Sequence, residues 1–563
     1  MGSHKAVGRT RRRAASAIDQ RGFALLVTVL LLIAGVATVG LTLYRPTPIP
    51  DLPTERTAEK LAEVKAALIG YAARQGVFQC SDPANSFQCN AQLANSPKLG
   101  ELPCPDTNND GVAEASCANA RLGRVPWKTL GIPNPQDGSG ETFWYAVSLR
   151  FLNNASNPLT KNGVYATNGA INSSTVGDLT VVSADGIAAT TTAVAVLFSA
   201  GGVVSGQNRG QAGTAFCAAT KTTVQRDLCP SNYLESFGST NNALGTGTYI
   251  RGTAGPDFND RLVYLAPEEL MPVLEMRVGA ELTALLLQYK YNSDCFCYPW
   301  ADSWNYSGGI ADVGLNRGRL PTAQVQPEDW GSGSIPRFPA WVKDNDWHNQ
   351  VFYIASKRAT DQAGGGCRSC SGNLDLTIKQ TPALASPTEP ADVALITPGT
   401  PRPGVNRPFL PWVLVNNVGV ANVYASYFED DLNNNKAGCY GNLTEHAGSW
   451  AGFPWPGQTP PASCDTLVMP QSRAHDRDRL WRVSNDPATI CPLAGPALVN
   501  HSPCKDNSAD QLKEVCVRLR SELTQCSAAC SAAAQAMLVV PCRNNSSSSQ
   551  CPGPRAALLA CTA

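Results

Sequence analysis

The residues best equipped for chemistry are Asp106-Thr-Asn108-Asn-Asp110-Gly111-Val-Ala-Glu114. Oxygen-bearing side chains at alternate places, with glycine at the sixth, suit a hard cation such as calcium, because the turn lets side chains and a carbonyl converge on one centre. The loop departs from a complete EF-hand, since its twelfth place is Cys117 where an EF-hand has glutamate. The same residues also build Asx turns for their own hydrogen bonds. Calcium held by Asp106, Asn108, Asp110 and Glu114 therefore stands beside a purely structural turn. Cys104 and Cys117 bracket the loop, and a disulfide closing it is favoured over metal ligation by the two sulfurs. "DDLNNNKAG" at 430–438 is a poorer copy that lacks glycine at the sixth place.

Cys367-Arg-Ser-Cys370 and Cys295-Phe-Cys297 raise zinc as an alternative. Structural zinc usually takes two C-x-x-C-type pairs, and one of these is C-x-C, so disulfides are the better reading. For hydrolysis the chain offers neither G-x-S-x-G nor H-E-x-x-H. Its five histidines are scattered; His475 beside Asp476 and Asp478 imitates an acid/base cluster, yet charges flanking a strand are commonly solvated. An enzyme is not expected. Trp300, Trp304, Trp330, Trp341 and Trp347 crowd one region, where they read as the core of a small sheet domain before they read as a binding platform.

These residues need elements to hold them, and composition limits which. The 563 residues carry 45 basic and 45 acidic side chains, so there is no basic field for nucleic acid, which is not expected as a partner. The 48 Gly and 41 Pro point to loop-rich β structure. All 20 cysteines lie between Cys80 and Cys561, which fits a disulfide-rich region in an oxidising compartment. From Phe23 to Tyr44 runs an uncharged stretch of 22 residues, about 33 Å as a helix and enough to cross a bilayer core. Lys5, Arg9, Arg11, Arg12, Arg13 and Arg21 precede it, which holds the amino end in the cytoplasm and sends the rest across.

Basic leader and apolar span meet at Gly22-Phe23 without a spacer. In this the chain resembles the type IV pilin and type II secretion pseudopilin family. The resemblance implies cutting between Gly22 and Phe23 by a prepilin peptidase, methylation of the new terminus, insertion in the bacterial inner membrane, and partnership with other subunits and an assembly platform. Most members carry glutamate at the fifth mature position; here that place is Val27, as in minor, tip-located subunits. A second departure is the break at Pro46, Pro48, Pro50 and Pro53.

A helix resumes in "TAEKLAEVKAALIGYAARQ", where Leu61, Val64, Leu68 and Tyr71 form one stripe that should pack on a sheet. The runs "LPCPDTNNDGVAEASC", "GRVPWKTLGIP", "ETFWYAVS", "TAVAVLFSAGG", "NYLESF" and "FNDRLVYLAPEELM" also resemble the pseudopilin head, implying a helix against a small antiparallel sheet.

The order of signals then repeats. A helix opened by Pro267 carries Leu270, Leu274, Val278, Leu282 and Leu285 on one side. "GRVPW" at 123 is echoed by "GRLPT" at 318, "FWYAVS" at 143 by "VFYIAS" at 351, and "NDRLVYL" at 259 by "RDRLWRV" at 477. Weaker echoes join "AVAVLFSAGGVVSGQNR" to "DVALITPGTPRPGVNRP" and "NYLESFGSTNN" to "SYFEDDLNNN", and the offsets grow from 195 to 218. At the end, Leu512, Cys516, Leu519, Leu523, Cys526 and Cys530 alternate steps of four and three behind a capping-box Ser508, predicting one helix with three cysteines on its apolar face.

The expected fold is thus α+β: a basic leader (1–22), a transmembrane helix (23–45), two tandem pilin-like modules (46–265 and 266–490), each a helix on an antiparallel sheet, and a Cys-rich helical cap (491–563). The expected role is a minor pilin or pseudopilin subunit with its head in the periplasm or at a filament tip. The rivals are a single-pass anchored adhesin and, more remotely, an anchored hydrolase.

Overall fold

A computed structural model describes residues 52–75, 99–115, 117, 121–152, 159–161, 164–166, 170–293, 297–302, 317–323, 325, 328–355, 376–379, 388–401, 407, 466–468, 479–482, 491–494, 519, 523–536 and 552–561. The leader, Gly22, Phe23 and the apolar stretch lie outside this set. No helix among the described residues is long and apolar enough to cross a membrane.

The stripe Leu61, Val64 and Leu68 is buried on helix α1, Leu52–Arg74, and Ala72 extends it. Each of the three larger side chains so buried contributes about 1.5–3 kcal/mol. The carbonyls at the end of α1 find donors outside it: Gly100 N–H reaches Ala72 O at 3.0 Å, and the Arg277 guanidinium reaches Ala73 O at 2.6 Å.

The first half is built on a four-stranded antiparallel sheet in the order β1 (Leu122–Arg124), β2 (Trp144–Val147), β5 (Ala195–Ser199), β7 (Arg261–Leu265). A smaller sheet accompanies it: β3 (Leu179–Ser183) pairs antiparallel with β4 (Ala188–Ala193) and parallel with β6 (Thr248–Arg251). The four-stranded sheet is covered on both faces, because alternate residues join different clusters. Tyr145, Val147 and Leu197 pack with α1, while Trp144, Ala146 and Phe198 pack with Leu179, Val181 and Tyr249 of the smaller sheet. This explains the unbroken apolar runs "WYAV" and "AVLFS", every residue of which is buried.

Between the halves runs α3, Pro267–Asn292, which follows the single-turn α2 (Trp127–Leu130) in chain order. Pro267 opens it at a place where no N–H is needed, and Glu269 accepts the N–H of Ala266 at 2.9 Å. Burial goes beyond the expected single side. Leu270, Leu274, Val278, Leu282 and Leu285 are buried, but so are Met271, Leu286, Leu287, Tyr289 and Tyr291. From Leu285 to Tyr291 every residue is buried, so this end of the helix is packed from several directions.

The second half repeats the architecture. Strands β8 (Arg317–Arg319), β9 (Phe352–Ala355), β12 (Val393–Thr397) and β14 (Arg479–Arg482) form an antiparallel sheet in that order. Again a smaller sheet has a middle strand, β10 (Leu376–Lys379), antiparallel to β11 (Thr388–Ala391) and parallel to β13 (Thr466–Val468). The register makes the correspondence residue by residue: the row Arg124, Trp144, Phe198, Leu262 matches Arg319, Phe352, Ile396, Leu480. The sequence offset does not grow steadily. It is 195 at Arg124 and Arg319, 208 at Trp144 and Phe352, 198 at Phe198 and Ile396, and 218 at Leu262 and Leu480, so each half carries insertions the other lacks. The echo at 426–435 lies outside the described residues.

The halves repeat in topology but are joined in packing. One continuous core includes α1, Tyr145 and Leu197 of the first sheet, α3, and Tyr353 and Leu395 of the second, together with Leu519, Leu523, Ala534 and Leu558 near the end. Buried hydrogen bonds cross the join, from Ile171 N–H to Asn345 Oδ1 at 3.0 Å and from Ser174 Oγ to Gln350 Oε1 at 3.0 Å.

The terminal helix differs from expectation. Residues 524–527 form a turn, and α6, Ala528–Ala536, starts after it. Cys526 N–H bonds Leu523 O at 3.2 Å, a tightened turn, and Ser527 then offers its carbonyl to Ser531 N–H at 3.0 Å as a new helix start. (α4, Ala340–Asp344, and α5, Trp347–Gln350, are short; α7 is Pro552–Leu559.) Cys526 bonds Cys491 and Cys530 bonds Cys561, so two of the three cysteines expected on one face are used in separate disulfides. The third, Cys516, lies outside the described residues.

Candidate functional site

The loop at 106–114 begins where β1 ends its pairing. Asp106 and Arg124 exchange backbone hydrogen bonds at 3.0 and 2.7 Å. Gly123 permits that approach, because a Cβ there would stand 2.6 Å from Asp106 O. The chain then turns through Asn109 at φ 60° and Gly111 at φ 85°, and a Cβ on Gly111 would lie 2.5 Å from the Trp127 ring. The disulfide Cys104–Cys117 closes the loop, with Cα atoms 5.3 Å apart.

Within it the side chains of Asp106, Asn108, Asp110 and Glu114 accept backbone N–H groups. Asp106 takes Asn108 N–H at 3.1 Å and Gly111 N–H at 2.6 Å, Asn108 takes Asp110 N–H at 2.9 Å, and Asp110 takes Val112 N–H at 2.7 Å. Glu114 folds back on Thr107, accepting its N–H at 3.1 Å and its hydroxyl at 2.6 Å. Burial pushes the Asp106 carboxyl up, against the pull of the N–H groups from Gly111, Asn109 and Asn108. A cation is already at hand, since the Lys128 ammonium donates to Asp110 O. Among the described residues no three His, Cys, Asp or Glu side chains are grouped to hold a metal ion. The oxygens named for calcium, on Asp106, Asn108, Asp110 and Glu114, accept hydrogen bonds from within the loop itself.

One wall of this loop is a cation held among aromatics. The Arg124 guanidinium lies 4.0 Å from the centre of the Trp144 ring and 4.1 Å from that of Tyr233. It donates to Thr142 O at 2.6 Å and Asp227 O at 3.0 Å. Asp227 Oδ2 accepts Asn109 Nδ2 at 3.3 Å, so the segment 226–233 braces both Arg124 and the loop. Behind it, Glu235 accepts the N–H groups of Asn259 and Asp260 at 3.0 Å each, and Asp260 accepts from Glu235 N–H and Asn242 at 2.9 Å each. Burial, then the neighbouring Glu235, pushes the Asp260 carboxyl well up.

The second half carries the same skeleton with a different wiring. Asp302 and Arg319 exchange backbone bonds at 2.9 Å each, and a Cβ on Gly318 would stand 2.2 Å from Asp302 O. Here the side chains meet: Arg319 and Asp302 form an ion pair at 2.8 Å, each side chain 2% exposed. Tyr145 donates to Pro103 O at 3.1 Å, as Tyr353 does to Pro299 O at 2.8 Å. Burial, then another tyrosine, pushes both phenols well up, so they act as donors. Arg209 donates to Gly201 O and Ala200 O at 2.6 and 3.1 Å, and Arg407 does so to Gly399 O and, at 2.7 Å, to Pro398 O. None of these three pairs was singled out from the sequence. The signal lay inside the echoes, as the polar residue each shares: Arg124 with Arg319, Tyr145 with Tyr353, Arg209 with Arg407.

Other candidates scatter. His348 stands 3.9 Å from Asp346, too far for a hydrogen bond, and burial, then Arg319, lowers it to about 3, so the imidazole is neutral and no ion pair forms. His475, Cys295, Cys367 and Cys370 lie outside the described residues; Cys297 is disulfide-bonded. Trp300, Trp341 and Trp347 are buried core, and Trp330 packs on Tyr289 with its indole N–H on Pro321 O at 2.9 Å. Trp304 lies outside. Comparison with protein-family models, with curated proteins and with solved structures finds no match.

Proposed function

We propose that the chain is a non-enzymatic, minor pilin- or pseudopilin-like subunit of a diderm bacterium, inserted in the inner membrane through residues 23–45. Its head caps or initiates a type IV pilus or type II secretion pseudopilus, and offers a binding surface at the tip. The observation that carries this reading is the junction at Gly22-Phe23, where a basic leader meets an uncharged stretch of membrane length directly. Prepilin peptidase, sister subunits and the assembly platform are its partners.

Three features of the head support it. Disulfides such as Cys104–Cys117, Cys491–Cys526 and Cys530–Cys561 suit an oxidising compartment. A helix lies against an antiparallel sheet, as in the family the leader resembles. A head of roughly 500 residues is too large to repeat along a filament whose spans pack about 8–10 Å apart, which favours the tip.

A second reading, a single-pass anchored adhesin or binding protein outside any filament, is favoured by the prolines at 46, 48 and 50, residues that disfavour a continuous helix ahead of α1; Pro53, expected to belong to the same break, instead lies in the first turn of α1, where proline is tolerated. Mass spectrometry of the mature amino terminus separates the two. An N-methylated Phe23 is expected; an intact leader ahead of Gly22 sinks the filament reading and leaves the adhesin.

A further inference from the structure

Strands Thr214–Cys217 and Thr222–Gln225 form a two-stranded hairpin that projects from the first half. Its residues are exposed or half-exposed, Phe216 at 71%, except Cys217, which is buried. A two-stranded hairpin has little stability of its own. What faces Cys217 is a second buried thiol, Cys229, beyond the turn Arg226–Leu228. Ser231 Oγ lies 3.1 Å from Cys229 Sγ and 3.9 Å from Cys217 Sγ, so one hydroxyl touches both thiols.

We propose that Cys217 and Cys229 are a redox pair that closes to a disulfide in the exported protein, stapling the hairpin to the segment that braces Arg124 and the 106–114 loop. The bond would fix Cys229 next to Pro230–Asn232 and Tyr233, the ring stacked on Arg124, and two residues from Asp227, which holds both Arg124 and Asn109. The chemistry is thiol–disulfide exchange with a disulfide oxidant, either a small disulfide or a dithiol oxidase. The Cys217 thiolate attacks one sulfur of the oxidant and expels a thiolate; Cys229, deprotonated, attacks the mixed disulfide at Cys217. The pair loses two electrons and two protons, and the oxidant leaves as two thiols. Opening of the weakly stable hairpin lets the oxidant reach Cys217, which is buried when the hairpin is closed. Burial pushes the Cys217 thiol up, but hydrogen bonds from Cys229, Thr220 and the backbone outweigh this and lower it, while burial and Cys217 raise Cys229.

The inference rests on the exported location proposed above, and one experiment keeps the two apart. The full-length protein is purified from membranes without reductant, alkylated while denatured, and digested with trypsin. Cleavage at Lys221 and Arg226 puts Cys217 on peptide 210–221 and Cys229 on peptide 227–251, whereas Cys104 and Cys117 share peptide 99–121. The expected result is a linked 210–221/227–251 species that separates on reduction, and no alkylated Cys217 or Cys229. Alkylated Cys217 and Cys229 beside an intact Cys104–Cys117 bond overturn the inference and spare the location. Alkylation of all four overturns both. In a second measurement on the folded protein, reduction or the variant C217S/C229S should speed tryptic cleavage at Lys221 tenfold or more; an unchanged rate overturns the stapling role.

Discussion

Asp302 and Arg319 occupy the places of Asp106 and Arg124, yet only the later pair joins side chains, at 2.8 Å with each 2% exposed. At that distance and an effective dielectric of about 20 the attraction is roughly 6 kcal/mol before desolvation, which takes back much of it. Arg319→Met leaves the Asp302 carboxylate buried without its cation, and should cost about 3–5 kcal/mol. Asp302→Leu strands Arg319 at a similar cost. The double variant removes both charges and should cost far less than their sum, a coupling of about 3 kcal/mol. Loss of the Arg319 bond to Asn349, 2.6 Å in length, occurs in Arg319→Met and in the double variant alike and cancels in the cycle. In the first half Asp106 is engaged by Gly111 and Asn108 N–H groups, and Arg124 by carbonyls and rings, so the cycle D106L/R124M should give a coupling below about 0.5 kcal/mol. Guanidinium unfolding followed by tryptophan fluorescence measures both cycles. Equal couplings in the two halves would refute the reasoning, as would one near zero for Asp302 and Arg319.

Gly111→Ala should destabilise by about 1–3 kcal/mol, from φ 85° and the clash with Trp127, read as a lower thermal midpoint. Calcium or a chelator should leave that midpoint unchanged in calorimetry, because the loop's oxygens are engaged by N–H groups; a rise with calcium concentration would mean a cation binds there. His348, neutral in the fold with its value lowered to about 3 from 6.5, should lose stability as pH falls below 6.5, by up to about 1.4 kcal/mol per unit, and His348→Gln should flatten that slope in acid denaturation. Asp260 has the opposite sign: raised in the fold, its carboxyl contributes stability at low pH that is lost as pH rises, so Asp260→Asn should flatten the loss above its unfolded value of 3.8.

Local pattern announced much of this. The period of Leu61, Val64 and Leu68 needs only one buried side, and α1 lies where it says. The echo of "GRVPW" in "GRLPT" marks real equivalence, since glycine is demanded wherever a second strand comes within about 2–3 Å of a Cβ position, and Gly123 and Gly318 both meet that demand. The Cys104–Cys117 bond was legible because its cysteines flank one turn. The pair Cys217 and Cys229 was not, for nothing in a spacing of twelve residues says that two thiols share a hydroxyl. The break at 524–527 was missed because the heptad-like steps run through it, while Ser527 restarts the helix.

By itself the sequence determined what depends on near neighbours: an uncharged stretch long enough for a membrane behind a cluster of basic residues, helical stripes, strand runs and the order in which they recur. Only the tertiary structure decided that the repeated halves share one core, that Asp302 meets its arginine while Asp106 meets backbone amides, and that the oxygens of the 106–114 loop turn to N–H groups. Those outcomes depend on side chains far apart in the chain competing for the same few buried partners, and the competition is settled by packing distance rather than by residue type.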